Sequence, residues 1–138
     1  MSAHTMIAEK YRGGKRNDPF IEWDGAVADK ELVDLLRKTS LFKGLTKRQY
    51  NSLARICDEY VLPQYEIVFH QGDCSSSLYI LMKGQIKIYK NEQFLADLEA
   101  PDVFGEIGFF YGSPRQYSVI SSEDIEVIEI NKKKLMRL

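Results

Sequence analysis

The chain has 138 residues, 44% of them hydrophobic, and a formal net charge of −1, enough for one ordinary core, short of two, and without global attraction to DNA, RNA or an anionic surface. Cys57 and Cys74 are too far apart for a CxxC pair and too few for a disulfide framework, which suits idle thiols in a reducing, intracellular compartment. No apolar run approaches a membrane span, and the opening MSAHTMIAEKYRGGKRNDPF lacks the apolar centre of a secretory signal, so a domain that is cytoplasmic, or on the cytoplasmic side of a larger membrane protein, is expected, making no contact with nucleic acid or membrane itself.

Residues 1–28 show no sustained period, carry Gly13, Gly14, Pro19 and Gly25, and cluster Lys10, Arg12, Lys15 and Arg16, as a mobile arm would. Within it Phe20 and Trp23 are large enough to fold back onto a surface. Residues 29–138 read as the folded domain. Leu32, Leu35 and Leu36 are spaced as one helix face with Asp29 placed as its cap. In LTKRQYNSLARIC, Thr46 can cap a second helix whose stripe is Tyr50, Leu53, Ala54 and Cys57, and Pro63 prevents continuation.

After Pro63 the period shortens to two or to brief apolar runs: EIVFH, SLYILMK, QIKIYK, FLADL, YSVISS and IEVIEI. Turn signals separate them at Gly72-Asp73, Gly84, Asn91-Glu92, Pro101-Asp102 and Glu123-Asp124, and no long crossover segment intervenes. The fold class expected is mainly β, an antiparallel jelly-roll barrel preceded by helices, with NKKKLMRL beginning another helix.

One stretch breaks the strand rhythm. FGEIGFFYGSPRQYSV, residues 104–119, is too short and glycine-rich at FGEIGFF for an ordinary strand, and one helical turn fits it better. If Gly105 and Gly108 let the backbone turn tightly, the first N–H groups of that turn project unsatisfied and suit an anion. Arg115 adds the countercharge, aimed by the stiff Pro114. Glu106 repels an anion but accepts hydrogen bonds from sugar hydroxyls. Phosphate plus ribose means a nucleotide.

These residues resemble the phosphate-binding cassette of the cyclic nucleotide-binding domain family, written F-G-E-[LI]-[AGS], a short loop, then [PS]-R-x-A-[TS]-[VI]. LFKGLTKRQYNSLA is similar to the family's leading helix, VFHQGDCSSSLYILMKGQIKIY to its paired strands, and IEVIEINKKKLMRL to its final strand and following helix. The resemblance covers about residues 40–138. It implies a regulatory domain that binds cAMP or cGMP without catalysis or another cofactor and transmits an allosteric change to an effector domain or partner protein outside this chain. Glu106 would accept from the ribose 2′-hydroxyl, Arg115 would pair with the exocyclic phosphate oxygens, and N–H groups around Gly105, Ile107 and Gly108 would complete the cradle. Gln116, Tyr117 and Ser118 follow as further ligand-binding positions.

The pattern departs from the family in three places. Gln116 stands where relatives often have Ala, Ser or Thr, Tyr117 where they have a small Ala, and the chain ends at Leu138, where the lid helix of relatives still lies ahead. A degenerate fold serving as an interaction module, its pocket blocked by Gln116 and Tyr117, is the alternative. A cupin-type metal enzyme would need several converging histidines, and only His4 and His70 are present. The structural alternative for Glu106 and Arg115 is a mutual salt bridge. Phe104, Phe109 and Phe110 read as core or hinge packing, Ser75-Ser76-Ser77 as a loop, and Tyr117 as either pocket wall or core.

Overall fold

A computed structural model of the protein describes residues 25–138; the basic cluster, Phe20 and Trp23 lie outside the described residues. Helix α1 (Gly25–Lys38) spans the boundary expected between residues 28 and 29, so Asp29 falls inside it and not at its cap. Arg37 and Lys38 occupy its last turn, where positive charge meets the negative end of the helix dipole. A single 3₁₀ turn, Ser40–Phe42, leads to helix α2 (Lys47–Ile56).

Thr46 caps α2 as expected. Its hydroxyl accepts from the Gln49 N–H at 3.1 Å while the Gln49 side chain accepts from the Thr46 N–H at 2.9 Å, so each satisfies a donor the helix would leave exposed. The stripe Tyr50, Leu53, Ala54 and Cys57 is buried together with Leu32 and Leu36 of α1. Each fully buried leucine contributes about 1.5–3 kcal/mol relative to exposure.

The strands are β1 (Asp58–Leu62), β2 (Ile67–Phe69), β3 (Ser77–Lys83), β4 (Gln85–Lys90), β5 (Gln93–Glu99), β6 (Asp102–Phe104), β7 (Ser118–Ser121) and β8 (Ile125–Asn131). They form two antiparallel four-stranded sheets, ordered β1-β8-β3-β6 and β2-β7-β4-β5. Among the described residues the ladders do not join the two sheets, so of the two forms the strand pattern allows, a closed barrel or a double-sheet jelly roll, the chain takes the second. β1 and β6 were not anticipated as strands. β1 starts on the acid pair Asp58-Glu59 directly after a helix, yet Asp58, Tyr60 and Leu62 point inward on alternate positions, the period of a pleated strand. β6 is only three residues, paired to β3 with Tyr79 opposite Phe104.

The β4–β5 hairpin turns at Asn91 and Glu92, both with positive φ (52° and 67°), the geometry of a two-residue hairpin loop that matches the twist of its strands. Helix α4 (Lys132–Met136) follows β8 directly, with the Asn131 side chain accepting from the N–H groups of Lys133 and Lys134.

The first sheet is buried on both faces. Leu78 and Ile80 of β3, with Ile128 and Ile130 of β8, pack against α1 and α2. Their alternate neighbours Tyr79, Leu81, Ile125 and Val127 join Val68, Phe69, Ile86, Phe104 and Val119 in the layer between sheets. Burial on two faces explains why SLYILMK reads as a continuous apolar run instead of an alternating one.

Candidate functional site

The glycine-spaced stretch does form a short helix, α3 (Glu106–Tyr111), flanked by Gly105 and Gly112 in the left-handed region (φ 80° and 66°). Gly105 supplies the turn, because a side chain there would be strained. Gly108 plays a different part from the one expected. It lies inside the helix, and a Cβ on it would run into the Oγ and Cβ of Ser75. The glycine is required by close packing of the 72–76 loop on the helix, and the tight turn belongs to Gly105 alone.

That loop also holds Arg115. The Arg115 N–H donates to the Asp73 carbonyl at 2.8 Å, and the Arg115 carbonyl accepts from the Gly72 N–H at 2.7 Å. With Pro114 fixing the preceding φ, the backbone of Arg115 is clamped before its side chain enters the space between the sheets. Only 5% of the residue is exposed. Its Nη1 donates to the Gly105 carbonyl at 2.9 Å and its Nη2 to the Ser77 carbonyl at 2.6 Å. The guanidinium lies 4.2 Å from the centroid of Phe69 and 5.6 Å from that of Tyr79, two faces that attract a cation.

Arg115 and Glu106 form no ion pair with each other, so the salt-bridge alternative does not describe them. Burial lowers the Arg115 pKa from its usual value, opposed by electrostatic interaction with Tyr79, Tyr117 and Glu129; a guanidinium nevertheless keeps its proton at neutral pH. The hydrogen bonds of this desolvated cation go to two neutral carbonyls. Nearby, Tyr79 donates to Glu129 Oε2 at 3.1 Å in the interior.

Four buried polar atoms near this cation and helix have no hydrogen-bond partner among the described residues: Glu106 Oε2, Ser75 Oγ, Ser77 Oγ and Ser113 Oγ. Such atoms are rare in native interiors because each forfeits its hydration, and a group of them needs explanation. The amides of Glu106, Ile107 and Gly108, in the first turn of α3, have no intrahelical carbonyl to bond. Unspent acceptors, unspent amides and a buried cation together suit a ligand with both an anionic centre and hydroxyl donors.

Tyr117 occupies part of this arrangement. Its hydroxyl accepts from the Gly105 N–H at 3.1 Å, and its ring packs 5.8 Å from that of Phe69, on the margin of the inter-sheet core. It is therefore both wall and core margin, and the residue takes a hydrogen bond the cradle would otherwise offer. Burial raises the Tyr117 pKa, keeping the phenol neutral at ordinary pH.

Of the expected site residues, Gly105, Glu106, Gly108, Arg115 and Tyr117 come together. Ile107 and Gln116 are exposed. Ser118 accepts from the Gln71 N–H at 2.8 Å and lines a separate open groove of about 840 Å³ with His70, Tyr89 and Asn91, so its hydroxyl does not join the others. Phe104 and Phe109 are buried, Phe109 in the helix-side core, whereas Phe110 is about half exposed. Sequence reasoning missed the Ser77 carbonyl, the Phe69 and Tyr79 faces, and the Gly72-Asp73 backbone clamp. Only the last left a trace, as the glycine turn preceding β3.

The profile of the cyclic nucleotide-binding domain family matches residues 60–138. Relatives include a cAMP-dependent protein kinase regulatory subunit from Hypocrea atroviridis, 25% identical over 76% of this chain and 23% of the relative. A cGMP-dependent protein kinase from Plasmodium berghei is 29% identical over 72% of this chain and 12% of its own length. The chain thus spans less than a quarter of these curated relatives. The regulatory domain of Toxoplasma gondii PKA, solved with cAMP, superposes with a TM-score of 0.76 at 21% identity, covering 85% of this chain and 46% of that one, a likeness of fold. No helix among the described residues is long and apolar enough to cross a membrane. With its double-sheet roll, its glycine-led helix and a profile match over more than half its length, the chain belongs to the cyclic nucleotide-binding domain family.

Proposed function

We propose that this chain is a cytoplasmic regulatory domain that binds cAMP or cGMP at the α3 cassette and passes the binding energy to an effector outside it. The observation that carries the reading is the desolvated Arg115, hydrogen-bonded to the Gly105 and Ser77 carbonyls, next to the unpartnered Glu106 Oε2. A cyclic phosphate supplies Arg115 with a directly hydrogen-bonded anion, and a ribose hydroxyl supplies Glu106 Oε2 with a donor. The names of the relatives, which include both cAMP- and cGMP-dependent kinases, support the ligand class and leave either purine as the base.

Transmission follows from packing. α3 carries Phe109 into the core shared with α1 and α2, so a ligand that shifts α3 changes what the helices pack against. Differential affinity for two helix positions would bias the effector. The interaction-module reading has its own support in the Tyr117 hydroxyl on the Gly105 N–H.

Calorimetry with cAMP and cGMP on the wild-type chain tests the proposal, with Arg115→Ala and Glu106→Gln as variants. Loss of a buried charge pair costs about 2–5 kcal/mol, so Arg115→Ala should weaken binding more than tenfold. Glu106→Gln should weaken it by about tenfold, at roughly 1.4 kcal/mol per decade, while preserving the melting temperature without ligand. Titrations unaffected by either substitution, or no heat with either nucleotide, would refute the assignment.

A further inference from the structure

We infer that Tyr117 is an internal competitor of the ligand, a side chain that must leave the Gly105 amide before the cassette can be fully used, and that it sets the affinity of the site. The inference rests on the ligand-binding reading above and concerns what limits it.

The Gly105 N–H is the first amide of the cradle, and the phenol oxygen holds it at 3.1 Å. The carbonyl of the same residue, in the next peptide group, is engaged by Arg115 Nη1 at 2.9 Å. Tyr117 and Arg115 thus grip one residue, two positions apart on the segment leading into β7. A phosphate between Arg115 and α3 would meet the phenol at the cradle's edge.

The ring packs on the margin of the inter-sheet core, partly buried and tilted against Phe69, and its one hydrogen bond among the described residues is to Gly105. Its pKa is raised by burial, so the oxygen there is a neutral phenol and brings no charge to Arg115. A neutral acceptor is the weaker partner of that amide; an anionic oxygen makes the stronger bond. The ring is therefore displaceable by a phosphate, where a charged plug paired with Arg115 would not be.

The cost of displacement appears as reduced affinity. If the outward ring is populated at about 1–10%, the observed dissociation constant is raised about 10- to 100-fold over that of the open cassette. Two substitutions separate the parts of the competitor. Tyr117→Ala removes ring and hydroxyl; Tyr117→Phe removes the hydroxyl and keeps the ring.

The experiment is calorimetric titration of the 138-residue wild type and both variants with cAMP and with cGMP, alongside melting curves without ligand. The expected result is binding by Tyr117→Ala at least tenfold tighter than wild type, with Tyr117→Phe between them. Binding by Tyr117→Ala where wild type gives no heat also supports the competitor, while the sensing assignment for the wild-type chain is then refuted. Equal or weaker binding by both folded variants overturns the inference and leaves the ligand reading standing, since wild type binds. No binding by any of the three overturns both. Should Tyr117→Ala fail to fold, Tyr117→Phe decides, tighter in favour and unchanged against.

Discussion

Gly105→Ala can be worked through from the geometry. With φ at 80°, an alanine there takes a left-handed conformation, costing about 1–2 kcal/mol. Its Cβ would stand 2.6 Å from Arg115 Nη1, inside contact distance, so the guanidinium must move and give up its 2.9 Å bond to the Gly105 carbonyl. A hydrogen bond to a charged group is worth about 1.5–3 kcal/mol. Gly112→Ala provides the control, since Gly112 has φ of 66° at the other end of the same helix with nothing within 4 Å of an added Cβ. Both variants lose the same unfolded-chain freedom and incur the same class of backbone cost, so their difference isolates the Arg115 contact at about 1.5–3 kcal/mol. Urea unfolding measures it. With a slope of about 1–3 kcal/mol per molar, the Gly105→Ala midpoint should fall below that of Gly112→Ala by roughly 1 M. Equal losses would show that Arg115 is not held against Gly105, and the account of the site would fail with it.

Two further outcomes are expected. Gly108→Ala should destabilise the chain, because the new Cβ meets both Ser75 Oγ and Ser75 Cβ, and Ser75→Gly should recover most of the loss; additivity of the two in urea unfolding would contradict that contact. At alkaline pH the buried Tyr79, whose pKa is raised chiefly by desolvation and then by Glu129, retains its proton after an unfolded tyrosine has released one. Stability from this group is complete below about pH 10 and is lost as pH rises toward the raised folded value. Tyr79→Phe should therefore flatten the alkaline decline in unfolding free energy, with a residual slope from Tyr117; an unchanged slope counts against the burial argument.

How far the sequence carried the reading differs from element to element. The Thr46 cap, the Tyr50–Cys57 stripe and the turn at Asn91-Glu92 depend on interactions within a few residues, and local spacing reveals those. β1 escaped because its strand character comes from pairing with β8, Tyr60 opposite Val127, nearly seventy residues on. Asp29 was misplaced as a cap because a polar residue four positions into a helix looks, by type alone, like one that starts it. Gly108 was assigned to a turn because a sequence displays the glycine and hides the serine pressed against it.

Residue types and their spacing determined the fold class, the helix led by Gly105, the presence of an acid and a base on one short segment, and the likeness to a family that uses such a segment. Only the tertiary structure decided where those groups spend their hydrogen bonds: Arg115 on the carbonyls of Gly105 and Ser77, Tyr117 on the Gly105 amide, and Glu106 with one oxygen unpartnered. The physical reason is range. Backbone conformation responds to neighbours along the chain, whereas the direction of a buried side chain is set by whichever partners the packed layers bring to it, here including a carbonyl thirty-eight residues away.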